Sequence, residues 1–290
     1  MQQFKKILVF ILGGLLILTS NSAALAAQVD EDLIMGVFPR RNAIDTMKLF
    51  TPLAKHLSVE LGRNVRLETA KNFPVFWKKV QNGKYDIVHY NQYHYVKSNE
   101  KYGYQVFAKN EEFGGSTIAP AIVVRKDSGI TSLQDLKGKK IVFGGGKKAM
   151  VAYVGSTVML RNAGLNKGDY IEEFAKNPPN ATFATFYKRA DASGVGNVAL
   201  SIPVVKKRIE TDQLKYVEVG NNLPHIPWAY KESLSDELKA GISRVMLSLN
   251  GTPKGKGILK KARLTDISPA KDKEYDIIRN IIIEYEVYSK

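Results

Sequence analysis

Ser116 to Met150 reads "STIAPAIVVRKDSGITSLQDLKGKKIVFGGGKKAM", and it divides the chain in two. "AIVVRK" has the look of a buried strand. "TSLQDLKG" reads as a short helix, with Thr131 and Gln134 at capping-box spacing and Gly138 as its stop. "KKIVF" (Lys139 to Phe143) is a second strand, and it feeds three glycines and two lysines before another helix that runs to Gly164.

Before this stretch the same alternation has already run once. "LIMGVF" (Leu33 to Phe38) is a strand, and Asp45 opens a helix carrying Ile44, Met47, Leu53, Leu57 and Leu61 to a stop at Gly62. "VRLET" is the next strand. Pro74 suits a first helical position for "VFWKKV", and "DIVHY" and "YQVFA" are two further strands. After it come a helix over "ATFATFYKRA" (Ala181 to Ala190), and strands at "VALSIP" (Val198 to Pro203) and "LKYVEV". A helix capped by Ser235 ends at Gly251, and a last helix spans about Lys271 to Tyr288. "NGTPKGKGI" (Asn250 to Ile258) between them has loop composition. Strands alternating with helices argue for α/β sheets covered on both faces, and two such runs argue for two lobes. In open sheets of this class ligands sit beyond the carboxyl ends of strands, which directs attention to the loops after Phe38, Thr69, Tyr90 and Phe143.

The chain has 290 residues, a formal net charge of +15, 44% hydrophobic residues and no cysteine. That hydrophobic fraction supports a packed core, and the missing cysteine excludes disulfides, thiolate metal sites and a lipobox anchor. Lys5 and Lys6, the apolar run Ile7 to Leu18 and the small residues of "NSAALAA" read as a signal peptide over residues 1–27, cleaved near Ala26 or Ala27. The run is short for a span of about 20 residues, so an exported, periplasmic product is expected rather than an anchored one. The lysines are spread along the chain rather than blocked. They describe a solvated basic surface, with steering of anionic solutes as the next reading, and not a nucleic-acid stripe.

Three places have ligand chemistry. "DIVHYNQYHYV" (Asp86 to Val96) puts Tyr90, Asn91, Tyr93 and Tyr95 at a strand-to-helix turn, where hydroxyls that donate and accept would make a ligand wall. "FGGGKKAM" places Lys147, Lys148, Ala149 and Met150 between a strand and a helix, where free amides meet anions, but its spacing is neither a Walker nor a dinucleotide motif. "FPRRN" offers Arg40 and Arg41 as a clamp for an acidic group. His89 and His94 are five apart, which is neither helical nor same-face strand spacing, so no metal is expected. His56 reads as structural and His225, between two prolines, as a hinge residue. No nucleophile elbow or paired carboxylates are visible, so neither an enzyme nor a cofactor is expected.

Six segments together resemble one family. "MGVFPRR", "FTPLAKHLSVELGRNVRLE", "VQNGKYDIVHYNQYHYV", "AIVVRKDSGITSLQDLKGKKIVFG", "NAGLNKGDY" and "VEVGNNLPHIPWAY" occur in the order found in the periplasmic binding subunits of phosphate/phosphite/phosphonate ABC importers. The resemblance implies an α/β type II periplasmic-binding-protein fold: two α/β lobes joined by two hinge crossings, near Gly115 to Pro120 and Gly220 to Pro227. It assigns residues 28–117 plus 222–290 to one lobe and 118–221 to the other. It implies a monomer that captures a small ligand by lobe closure and passes it to an inner-membrane ABC permease. By the same resemblance Tyr95 matches the family's ligand tyrosine; a pocket retuned for a larger, less polar ligand would have Tyr90, Tyr95, Phe73 and Met150 as its walls. Asn91 and Gln92 stand where the family has Gly-Pro. Ala149, Met150 and Val151 replace its Ser-Thr-Ser run, Asn180 its histidine, and Gly196 or Asn197 an acidic residue. Those exchanges remove donors that a desolvated oxyanion needs. They leave two alternatives beside the phosphonate class: a less polar organic solute in the same fold, and a sensor feeding a membrane kinase.

Overall fold

In the computed structural model the described residues are 32–287, so the expected export segment and Tyr288, where the last helix was expected to end, lie outside them. The chain begins with β1 (Leu33–Val37), buried throughout because helices cover both faces of its sheet. Helix α1 (Ala43–Leu61) starts at Asn42, whose side chain accepts from the Asp45 amide, and ends at left-handed Gly62. Its buried stripe is Phe50, Leu53, Ala54 and Leu57. Ile44, expected on that stripe, falls off its 3.6-residue phase and is 82% exposed. β2 (Val65–Glu68), α2 (Phe73–Gln81), β3 (Ile87–His89), α3 (Gln92–Tyr102) and β4 (Tyr104–Glu111) follow. Asn72 caps α2 and Pro74 sits in its first turn, as that proline's missing N–H requires.

The first crossing contains β5 (Thr117–Ile118) and leads to β6 (Pro120–Arg125) and β7 (Lys140–Gly144). A π-helical turn at Met150–Gly155 runs straight into α4 (Ser156–Asn162). Next come β8 (Ile171–Ala175), α5 (Pro178–Phe186), β9 (Ala192–Gly196), α6 (Pro203–Lys206) and β10 (Leu214–Val219). The return crossing holds β11 (Leu223–Pro224), and the chain ends with β12 (Pro227–Lys231), α7 (Asp236–Leu247), α8 (Pro253–Ala262), β13 (Asp266–Pro269) and α9 (Asp276–Val287). One lobe is built on a six-stranded sheet, order β13-β4-β12-β3-β1-β2, and the other on a five-stranded sheet, order β10-β6-β9-β7-β8. The two crossing strands pair with each other, Ile118 opposite Leu223 and Thr117 opposite Pro224. α9 touches both lobes: Arg161 of α4 donates to the Glu284 carbonyl at 3.0 Å, and Tyr153 and Tyr285 meet edge to face.

Several local expectations change. "VALSIP" is not a strand, because the sheet position is taken by "ASGVG" just before it. Gly194 is what admits that strand, since a Cβ there would lie 2.4 Å from the Phe143 ring. The turn near Thr131 is not a Thr–Gln capping box. The Asp135 carboxylate instead accepts from both the Thr131 amide and hydroxyl and from the Ser132 amide. The loop expected over Asn250–Ile258 is mostly helix α8. Thr252 accepts from the Gly255 amide, Pro253 occupies the first turn, and Gly255 lets the helix lie against the Leu249 carbonyl, where a Cβ would come within 1.9 Å.

A polar cluster sits where the crossings leave the first sheet. His89 stacks on Trp228 at 4.1 Å, and the Trp228 indole donates to Asn110 at 2.8 Å. Glu112 accepts both guanidinium nitrogens of Arg40, at 2.6 and 3.2 Å. His225 is fully buried and accepts from the Ile226 amide at 2.8 Å. Burial holds His89 near pKa 3, His225 near 4 and, with help from the Lys148 charge, His94 near 3. Burial alone would raise the Glu112 carboxyl, but Arg40 more than offsets it and holds it at about 2.

Two outcomes follow from these contacts. Gly255→Ala should lower stability by about 1–3 kcal/mol, through overpacking against Leu249. Gly257→Ala in the same helix, where a Cβ meets nothing within 4 Å, should raise it by about 0.5–1 kcal/mol, and denaturant midpoints check both. The second outcome concerns acid. Each buried histidine is neutral when folded and binds a proton below 6.5 when unfolded, so its contribution is present above 6.5 and is lost as pH falls toward its folded value. Unfolding free energy should drop by about 1.4 kcal/mol per pH unit for each such histidine between those limits. His225→Gln should flatten the curve by one proton's worth between pH 6.5 and 4; an unchanged slope would refute the assignment.

Candidate ligand-binding cleft

A cavity of about 540 Å³ lies between the lobes. Its lining comes from the loop after β1, the first turns of α2 and α3, the two crossings, and the segments following β7, β8 and β9. These are the carboxyl ends of parallel strands, where this architecture leaves a crevice.

The first lobe supplies an aromatic wall. Phe73 and Trp77 are four residues apart on α2 and so share a face, while Phe76 and Val80 turn into the core. Phe73 lies parallel to the His94 ring at 6.0 Å, Trp77 meets that ring at 4.9 Å, and Phe38 meets Phe73 edge to face at 5.9 Å. His94 is fixed by Asn91, whose side-chain oxygen accepts from the His94 amide at 3.0 Å and from its Nδ1 at 2.9 Å. The Asn91 amide nitrogen then reaches across the cleft and donates to the Lys148 carbonyl at 3.0 Å.

The second lobe supplies charge and apolar surface. Gly144 ends β7 against Pro178, so closely that a Cβ would sit 2.5 Å from the proline Cα. Gly145 has φ 144°, open to glycine, and turns the chain toward Lys147 and Lys148. The Lys148 ammonium lies 5.9 Å over the Tyr93 ring. Ala149, Met150, Val151 and Ala152 then open the helical run through α4, whose first amides have no intrahelical acceptor. Lys176 and Asn177 approach from the β8–α5 segment. There α5 presents no amides of its own at its first two positions, which are Pro178 and Pro179, and Asn177 takes the Asn180 amide. Among the described residues that line the cavity there is no Asp, Glu, Ser, Thr or Tyr.

Of the residues singled out by sequence, Arg40, Asn91, Lys147, Lys148, Ala149, Met150 and Phe73 line the cavity. Arg40 does so with its guanidinium engaged by Glu112. Tyr90, Tyr95 and Asn180 are not brought to it. Tyr90 is fully buried, with its hydroxyl 2.6 Å from Ser98. Tyr95 turns with α3 onto Tyr275, 4.8 Å away, and its hydroxyl donates to Asp272. Asn180 is exposed on α5. Trp77 and Lys176 line the cleft without having been picked out, Gln92 was noted only as a departure from the family's Gly-Pro, and His94 only as an unsuited metal ligand. The i, i+4 spacing of Phe73 and Trp77 was the available signal for the first, and Asn91 capping for His94.

Residues 35–275 match the family described as ABC transporter, phosphonate, periplasmic substrate-binding protein. The chain is 22% identical over 275 residues to the phosphonates-binding periplasmic protein of Escherichia coli (strain K12), covering 93% of this chain and 81% of that one. Its fold is similar to PhnD1 from Prochlorococcus marinus (MIT 9301) in complex with methylphosphonate, with TM-score 0.76, 17% identity and coverage of 88% and 98%. It is also similar to a binding protein component of an ABC phosphonate transporter from Pseudomonas aeruginosa, with TM-score 0.74, 16% identity and coverage of 88% and 86%. With the match spanning most of both lobes and the cleft between them, the chain belongs to the periplasmic substrate-binding proteins of ABC phosphonate transporters.

Proposed function

We propose that the cleft captures a ligand of the phosphonate, phosphite or phosphate class through its phosphorus oxyanion and delivers it to the membrane permease. The observation that carries this reading is the charge of the lining: among the described residues Lys147, Lys148 and Lys176, on the segments after β7 and β8, line the cavity and no carboxylate does. Arg40 adds little, because Glu112 already offsets it. An oxyanion moved from water into the cleft must recover its hydrogen bonds. The lysine ammonium groups and the first-turn amides that follow Ala149 supply donors, each charged bond worth about 1.5–3 kcal/mol. Capture is non-covalent and needs no cofactor.

Residues 28–117 with 222–290 act as one body and residues 118–221 as the other, flexing about the paired crossing strands β5 and β11. The separate sheets on either side of those strands support this division. The mature protein works as an exported monomer, after removal of residues 1–27. Family membership favours transport over sensing and over a less polar solute.

Calorimetric titration of the mature protein with methylphosphonate, phenylphosphonate, phosphate and sulfate tests the reading. At least one phosphorus oxyanion should bind, and the affinity should fall with added salt. Replacing Lys147, Lys148 and Lys176 together with Gln should weaken that binding by about a hundredfold or more, near 3 kcal/mol. Equal binding by the triple variant, or no heat with any phosphorus compound, would overturn it.

A further inference from the structure

We infer that the preferred ligand is a phosphorus oxyanion carrying a flat ring, with the ring against Phe73, Trp77 and His94 and the oxyanion at the lysines. This rests on the oxyanion reading above and narrows it.

The first argument is size. Methylphosphonate has five non-hydrogen atoms, which fill on the order of 150 Å³ even at the roughly 30 Å³ that a water occupies. The cavity holds about 540 Å³. That space exists while Asn91 already bridges to the Lys148 carbonyl, so the lobes touch at one edge of it. Water left in the remainder would face apolar walls and find few partners.

The second argument is the chemistry of those walls. Phe73, Trp77 and His94 present ring surface, and Phe73 and His94 lie nearly parallel, 19° apart. A flat ligand ring extends such an array at little conformational cost. The facing lobe offers Val198 and Ile202, whose side chains can contact a ring but form no hydrogen bond. The third argument is what the oxyanion end lacks. With no hydroxyl among the described lining residues, a small ion has lysines and amides alone, whereas a ring-bearing ion gains the rest of the cleft.

Titrations of the mature protein with methylphosphonate, cyclohexylphosphonate, phenylphosphonate and adenosine monophosphate decide it. At least one of the two flat-ring ligands should bind about tenfold to hundredfold tighter than methylphosphonate and clearly tighter than cyclohexylphosphonate. Phenylphosphonate as the tighter of the two would identify an aryl phosphonate; adenosine monophosphate as the tighter would identify a nucleoside phosphate. Trp77→Leu, which keeps apolar volume, and Phe73→Leu should each bring the ratio of flat-ring to methyl affinity toward one. Methylphosphonate or cyclohexylphosphonate matching both flat-ring ligands would overturn the inference and leave the oxyanion reading standing. Failure of all four, and of phosphate beside them, would remove both.

Discussion

The side chain of Asn91 is the contact on which the cleft depends. One amide group closes the amino end of α3, fixes the His94 ring and bonds across to the Lys148 carbonyl. Its oxygen uses both lone pairs and its nitrogen one of two protons. Cap, aromatic wall and lysine loop are therefore positioned by a single planar group. An aspartate would keep the cap but lose the donor to the Lys148 carbonyl, leaving two acceptors face to face. The glycines on the other side matter because Asn91 reaches backbone. Gly144 must pass the Pro178 backbone at a distance no side chain permits.

Charge is distributed with a purpose that total charge does not reveal. Arg40, the most prominent cation of the β1 loop, is held by Glu112 in a paired geometry and serves the polar cluster beneath the crossings. The lysines that line the cleft are Lys147, Lys148 and Lys176. Burial keeps His89 and His225 neutral beside the crossings, so acid acts on this part of the fold.

Much of the fold was legible because it rests on local chemistry. β1, β6 and β7 carry continuous apolar runs, and Gly62, Pro74 and Ser235 mark helix ends as their backbone preferences dictate. Helix α8 was missed because Gly255 and Gly257 have low helix propensity, and tertiary contact with Leu249 outweighed it. The site was legible in its loops but not in its side chains. Tyr90 and Tyr95 look like ligand groups in sequence, yet their hydroxyls find Ser98 and Asp272 inside the protein. Whether a tyrosine faces a cleft or a core depends on which partner the folded chain brings near, and no spacing rule contains that. Trp77 was hidden for the opposite reason, since an aromatic on an amphipathic helix ordinarily belongs to the core.

Lysine and arginine recognise oxyanions differently, and this bears on selectivity. A guanidinium fork or a row of hydroxyls reads the shape of an oxyanion, while an ammonium acts as a mobile point charge. With Arg40 engaged elsewhere and no hydroxyl in the lining, the charged end of this cleft has little means to tell one tetrahedral anion from another. Discrimination then has to come from the part of the ligand that the lysines do not touch. In the orientation proposed above that part meets the rings of α2 and α3, and on that reading the body of the ligand, rather than its phosphorus, sets which solute is retained.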